Sequence, residues 1–273
     1  MTPPTLTDRP ALLRNRTRAT ALFLHDEVIS EVHDRLIEVN RPFKFPAVIT
    51  GFPEIWAQAM PGARIVADDD TLDLTCGAHD LVIHALGLHW ANDPVGQLVQ
   101  CRRALAPDGL FLGLLFGGQT LHELRACLAE AEASVTGGLS PRVLPMGEIR
   151  DLGGLLQRAG FALPVADSFT KTVRYRDALH LMHDLRAMGE GNALAARTRH
   201  PTRRAVLDDA TRRYAAAYGQ GGTVPATFEV ICLTGWAPAD SQPKPLRPGS
   251  AAQRLADALG SAEMPLPATP QGG

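Results

Sequence analysis

The chain has 273 residues, of which 45% are hydrophobic and 21% are charged. A chain of this length and apolar content can bury one sizeable core, so we expect one main domain. The formal net charge of -2 gives no global field that would draw the protein to nucleic acid or to an anionic membrane surface, and neither is predicted as a partner. No run of about 18 or more apolar residues occurs, so the sequence predicts no transmembrane segment.

The first 20 residues are rich in arginine and poor in acids. Arg9, Arg14, Arg16 and Arg18 surround one acid, Asp8, and the apolar stretch of a secretory signal does not occur. The same pattern opens some organellar transit peptides, but it favours a solvated helix. We therefore expect an N-terminal arm over residues 1–20.

Helix and strand patterns alternate along the rest of the chain. In chain order, the predicted elements are a helix over residues 21–39, a strand over 47–50, a short helix over 53–60, strands over 64–67 and 80–85, a helix over 94–105, a strand over 110–116, a helix over 152–159, a strand over 169–175, helices over 178–188 and 202–218, and a strand over 228–236. This rhythm predicts an α/β domain over residues 21–237, with a mostly parallel sheet and helices on both of its faces. Residues 238–273 are rich in Pro, Gly and Ser and are predicted to form a flexible tail.

Several stretches of the chain carry a family resemblance. The segments 79–83, 88–90, 103–105 and 107–109 are similar to the middle of a class I methyltransferase. More specific are FGGQTLHELR at 116–125, DLGGLLQRAGF at 151–161, LMHDLRAMGE at 181–190 and TVPATF at 223–228. Together these resemble the methyltransferase-like assembly factors of respiratory complex I, and more distantly the malonyl-carrier-protein methyltransferases of the biotin pathway. The resemblance covers residues 22 to about 250.

The resemblance implies a Rossmann-like sheet, S-adenosylmethionine as the cofactor and a complex I subunit as the protein partner. In this family the mitochondrial member hydroxylates an arginine of a complex I subunit. The place of action would be the bacterial cytoplasm, peripheral to the inner membrane, or the mitochondrial matrix of a eukaryote. The four cysteines form no C-x-x-C pair, which fits a reducing compartment.

The family's cofactor site maps onto particular positions of this chain. Glycines after the first strand let the backbone approach the methionine end of the cofactor, and exposed amides meet its carboxylate. The matching stretch has Thr50 where an acid is expected and a single glycine, Gly51. The candidate cofactor-binding residues are Thr50, Gly51, Asp68, Asp69, His84 and Leu86, and the candidate substrate-side residues are His89, Trp90 and Gln119.

Two features of this region depart from the family. The cofactor loop keeps one glycine, so S-adenosylmethionine binding is in doubt for this chain. Few residues separate the strand ending at residue 50 from the strand starting at 64, so one strand-helix unit is predicted to be absent and the first βαβ portion to be shortened.

Other polar groups have simpler interpretations. His180 and His183 flank an apolar helix stripe and are not expected to bind metal. The basic cluster of Arg197, Arg199, Arg203 and Arg204 could hold an acidic partner, although a solvated helix start is favoured. No catalytic residue is assigned.

Three hypotheses follow. The first is an S-adenosylmethionine-dependent enzyme that modifies a protein, by resemblance on complex I. The second is a catalytically degenerate assembly scaffold that no longer binds the cofactor. Small-molecule or carrier-protein methyl transfer is a weaker third, because the motifs after residue 116 resemble the assembly factors.

Overall fold

The computed structural model describes residues 5–243 and Gly260. Its helices are α1 (Arg9–Arg16), α2 (Phe23–Val39), α3 (Pro53–Ala59), α4 (Pro94–Ala104), α5 (His122–Thr136), α6 (Ile149–Arg158), α7 (Ala178–Ala187) and α8 (Arg204–Tyr218). Its strands are β1 (Pro46–Thr50), β2 (Arg64–Val66), β3 (His79–Ala85), β4 (Leu105–Phe116), β5 (Ala162–Tyr175) and β6 (Val224–Trp236). A short 3-10 turn, Leu88–Trp90, follows β3.

The described strands form one six-stranded sheet in the order β2-β1-β3-β4-β6-β5. The pairs β1/β2, β1/β3 and β3/β4 are parallel, and β6 is antiparallel to both β4 and β5. The first crossover is short, because α3 has seven residues and β2 has three. The Rossmann-like α/β class is confirmed, and β2 lies directly beside β1 at the edge of the sheet.

Alternate residues of each central strand face opposite sides of the sheet, and helices cover both sides. Leu81 and Ile83 of β3 pack into the core shared with α2, α5, α7 and α8. Val82, between them, packs into the core shared with α4 and α6. Strand β3 is buried along nearly its whole length, as its continuous apolar run predicts.

Strands β4, β5 and β6 begin earlier than predicted, and β6 begins at Val224 and not at residue 228. In β4 and β5 the chain bulges out of register. Strand β4 begins at Leu105 and not at residue 110, and its pairing with β3 shifts near residues 79–81, where Asp108 has a φ of 60°. Strand β5 begins at Ala162 and not at 169, because it pairs along the full length of β6 with a shift between Ala162 and Val165. Such bulges keep a strand paired past turn-like residues.

The N-terminal segment is a helix, as predicted, but the expectation that it is solvated is wrong. Leu12 of α1 is fully buried and Arg16 is 6% exposed. The segment around α1 is tied to the chain that follows α7, through a bridge between Thr7 and Leu194 and through hydrogen bonds from the Thr20 and Ala21 amides to the Ala187 carbonyl. Burial of one face and these hydrogen bonds make the arm part of the domain.

No helix among the described residues is long and apolar enough to cross a membrane. The tail predicted for 238–273 lies mostly outside the described residues, which end at 243 apart from Gly260.

Candidate functional site

A buried polar cluster lies where the central strands end. The carboxyl ends of β1 and β3 are at Thr50 and Ala85, and β4 ends beside them at Phe116. This edge of a parallel sheet is where α/β proteins bind ligands, because the loops that leave the strands open a crevice there.

The first part of the cluster is a buried ion pair above the end of β1. Arg16 Nη1 lies 2.8 Å from both carboxylate oxygens of Asp68, and each side chain is 3% exposed. Arg9 adds a second guanidinium 3.2 Å from Asp68. Burial alone raises the pKa of the Asp68 carboxyl, but the two guanidinium groups outweigh burial and hold the pKa below its usual range. Asp68 is therefore an anion whose charge is balanced within the protein.

The Arg16 guanidinium fills the space over Gly51. A Cβ built at Gly51 would lie 2.2 Å from Arg16 Nη1, so glycine is required for the guanidinium to sit there. The guanidinium carbon is also 5.7 Å from the centre of the Phe52 ring. The neighbouring Thr50 is buried and its hydroxyl accepts a hydrogen bond from the Phe52 amide, over 3.1 Å.

His84 and Gln97 continue the cluster from β3 to α4. His84 Nε2 donates to Gln97 Oε1 over 2.7 Å, and Gln97 Nε2 donates to the Asp69 carbonyl over 3.1 Å. Burial lowers the pKa of His84, so the ring is neutral at pH 7. The Asp69 carboxylate itself is exposed and pairs with Arg9. These contacts orient the loop after β2.

His89, Trp90 and Glu190 form the part of the cluster nearest to β4. Trp90 Nε1 donates to Glu190 Oε2 over 2.8 Å, and His89 Nε2 is 3.6 Å from the same oxygen, too far for a hydrogen bond. Burial raises the pKa of the Glu190 carboxyl, yet His89, Arg16 and the Trp90 N–H outweigh burial and lower it below its usual range. Within the described part of the chain, neither ring nitrogen of His89 has a hydrogen-bond partner.

A cavity of about 230 Å³ adjoins Glu190. Its walls include the rings of Trp90, Phe116 and Phe228, and Glu190 is the one acid among the residues that line it. Arg142, another lining residue, is paired with Glu132 at 2.6 Å. The cavity is therefore an apolar and aromatic space with one carboxylate at its wall, which accepts a hydrogen bond from Trp90 and lies 3.6 Å from His89.

The remaining predicted site residues lie apart from this cavity or play backbone roles. Leu86 is buried with a φ of 49°, and its amide donates to the Leu114 carbonyl over 2.9 Å. Gln119 is exposed, and its amide donates to Glu229 over 2.9 Å. Its neighbour Thr120 lines the cavity instead.

The sequence also pointed to two histidines on α7 and to a basic cluster after it. His180 and His183 are exposed on α7 beside its buried stripe, and no group of three or more His, Cys, Asp or Glu side chains suited to a metal occurs among the described residues. In the basic cluster, Arg197 and Arg199 pair with Asp8 at 2.9 and 3.3 Å. Part of this cluster thus serves to hold the segment before α1.

Comparison with known proteins gives relatives by sequence. No family model matches the chain. It is 40% identical over 199 residues to arginine-hydroxylase NDUFAF5, mitochondrial, of Danio rerio, and 39% identical over 198 residues to the Homo sapiens protein of that name. Identity at this level over such a length reflects common descent. The chain is a homologue of the NDUFAF5 proteins.

The aligned segments cover 72% and 70% of this chain but only 62% and 56% of these two NDUFAF5 proteins. A malonyl-[acyl-carrier protein] O-methyltransferase of Laribacter hongkongensis is a more distant relative, 36% identical over 65% of this chain and 57% of its own. A putative methyltransferase structure from Bacillus halodurans aligns with 76% of this chain and 98% of its own at a TM-score of 0.48 and 14% identity. The homology to the NDUFAF5 proteins rests on the sequence matches.

Four residues of the cluster were not among the candidate site residues. Arg9 and Arg16 were noted only as two of several basic residues, Gln97 lay within a predicted helix, and Glu190 ended a motif used for the resemblance. One feature of the sequence could have pointed to Glu190 as a site residue: it is an acid next to a glycine, just beyond an amphipathic helix. The pairing of Arg16 with Asp68, 52 residues apart, has no signature in a single sequence.

Proposed function

We propose that this protein is an assembly factor of respiratory complex I that binds an arginine-bearing segment of a complex I subunit in the cavity beside Glu190. We take arginine as the recognised side chain because the relatives are named arginine-hydroxylase. The observation that carries the proposal is the Glu190 carboxylate, held by Trp90 at the wall of an aromatic cavity. The place of action is then the bacterial cytoplasm at the inner membrane, or the mitochondrial matrix in a eukaryote.

The chemistry of the cavity suits a guanidinium. A planar cation stacks on aromatic faces and pairs with a carboxylate, and Trp90, Phe116 and Glu190 offer both kinds of group. The volume of about 230 Å³ is below the range of roughly 300–1,000 Å³ typical of drug-sized ligands, which favours a single side chain. Arg186 is exposed among the lining residues and would favour an acidic residue beside the bound arginine.

Binding to complex I subunits tests this function. The purified full-length chain is immobilised and overlapping peptides from the subunits of complex I are passed over it, each also with its arginine replaced by alanine. Glu190→Gln keeps an acceptor for Trp90 but removes the charge, and Glu54→Gln, an exposed acid of α3, is the matched control. We expect Glu190→Gln to weaken binding at least about thirtyfold, and Glu54→Gln to leave it unchanged. Equal binding by all three proteins, or binding that ignores the arginine, would refute the proposal.

A second candidate is an S-adenosylmethionine-dependent enzyme acting on the same partner. The O-methyltransferase relative of Laribacter hongkongensis favours it. Transfer of a labelled methyl group from the cofactor to a complex I peptide would establish this second function.

A further inference from the structure

The position that the family resemblance gives to the methionine end of the cofactor holds one of the protein's own side chains. Arg16 lies over Gly51 so closely that a Cβ at that position would be 2.2, 2.4 and 2.7 Å from three guanidinium atoms. Glycine at this position serves close approach. Here the group that approaches Gly51 is the guanidinium of Arg16, which belongs to α1.

The turn after β1 also offers fewer free amides to a ligand carboxylate than a run of glycines would. The Phe52 amide donates to the Thr50 hydroxyl, and Pro53, which follows it at the start of α3, has no N–H. A carboxylate placed there would therefore find few donors from the turn. S-adenosylmethionine does not fit the residues in this arrangement.

The two charges at the site balance each other without a ligand, while Arg16 Nε and Nη2 have no hydrogen-bond partner among the described residues. Arg16 and Asp68 are both nearly fully buried, and both Asp68 oxygens accept from Arg16 Nη1 at 2.8 Å. A Cβ at Gly87 would lie 2.7 Å from Asp68 Oδ2, so the carboxylate is packed against the chain that follows β3. Removing either partner would strand a buried charge, which is strongly destabilising.

We infer that the Arg16–Asp68 ion pair takes the place of the cofactor at the end of β1, and that this protein folds stably without S-adenosylmethionine. The inference does not depend on which partner the cavity binds. It assigns Arg16 a structural role that joins α1 to the loop after β2.

The test combines ligand titration with stability. The full-length chain is titrated calorimetrically with S-adenosylmethionine and S-adenosylhomocysteine, with the Laribacter hongkongensis methyltransferase as the positive control. We expect no binding heat and no rise in the unfolding midpoint at ligand concentrations up to about 1 mM, which would leave any affinity weaker than about -4 kcal/mol. Binding in the micromolar range would overturn the inference, while leaving partner binding through Glu190 untouched.

Variants of the pair test its structural role. We expect Arg16→Ala to lower the unfolding midpoint by about 10 °C, and Arg14→Ala, on the exposed face of the same helix, to leave it nearly unchanged. If Arg16→Ala does not fold, Asp68→Asn, which keeps the size of the side chain, and its exposed neighbour Asp69→Asn give the same comparison. Equal midpoints for Asp68→Asn and Asp69→Asn would also overturn the inference.

Discussion

One buried histidine contributes to how the stability of this protein responds to pH. His25 of α2 is buried, and its Nδ1 accepts a hydrogen bond from Trp56 Nε1 over 3.1 Å. Burial lowers the pKa of His25 to about 4. Protonation of Nδ1 would also remove the acceptor that Trp56 uses, so the neutral ring belongs to the folded state.

The His25 ring predicts a loss of stability in mild acid. Its pKa is about 4 in the folded state and about 6.5 in the unfolded chain, so the unfolded chain binds more protons between these values. The contribution of this ring to the free energy of unfolding is greatest above pH 6.5 and falls as the pH drops towards 4. At pH 4.5 the free energy of unfolding is lower by about 2.5 kcal/mol from this ring alone. Urea unfolding at pH 7 and pH 4.5 measures the fall.

His25→Gln should lose correspondingly less free energy of unfolding between the two pH values. His33→Gln, on the same helix but exposed, should behave like the wild type. If wild type and His25→Gln lose the same free energy, His25 does not carry this dependence.

Among the elements, α1 differs most from what its composition suggests. An arginine-rich helix with few acids is typical of a solvated arm, yet Ala11, Leu12 and Arg16 of this helix are buried. Asp8 caps it by accepting from the Ala11 amide over 3.1 Å and is held in turn by Arg197. The helix therefore docks through one narrow apolar face and through ion pairs of the charged side chains in and before it.

Two adjacent leucines test this docking. Leu12 is 0% exposed and Leu13 is 49% exposed. We expect Leu12→Ala to reduce the free energy of unfolding by about 3 kcal/mol and Leu13→Ala to change it by less than about 0.5 kcal/mol, measured by chemical denaturation. A Leu12→Ala protein as stable as Leu13→Ala would mean that α1 is a loose arm after all.

At the scale of the whole domain, the two apolar cores are coupled because they share strands. Leu98 of α4 lies in the core on one face and Leu181 of α7 in the core on the other, and both are fully buried. Strand β3 contributes to both cores through alternate residues. Loss of one core would expose strands that the other core needs.

This coupling predicts a single unfolding transition. Leu98→Ala and Leu181→Ala should each lower the free energy of unfolding by about 3 kcal/mol, and each should move the fluorescence and far-ultraviolet circular dichroism midpoints together. The wild type measured by the same two probes is the reference. Midpoints that separate in either variant would show that the two faces unfold independently.

Much of the fold was predictable because its signals are local. The apolar run of β3 and the period of α2 each specify one element, and their alternation specifies a sheet covered on both faces. The strand starts were less accurate: β4 and β5 begin early because pairing with neighbouring strands continues past residues that usually mark turns. Pairing is a tertiary interaction, and single-sequence patterns do not contain it.

The sequence by itself determined the α/β class, the family relationship and the edge of the sheet where His84, His89 and Trp90 lie, because motif order and periodicity are properties of one chain. Only the tertiary structure decided that Arg16 covers Gly51 and that Glu190 faces the aromatic cavity. Both contacts join residues far apart along the chain. Which charges meet there depends on how α1 and the segment after α7 pack over the strand ends, and that packing follows from burial of their apolar faces.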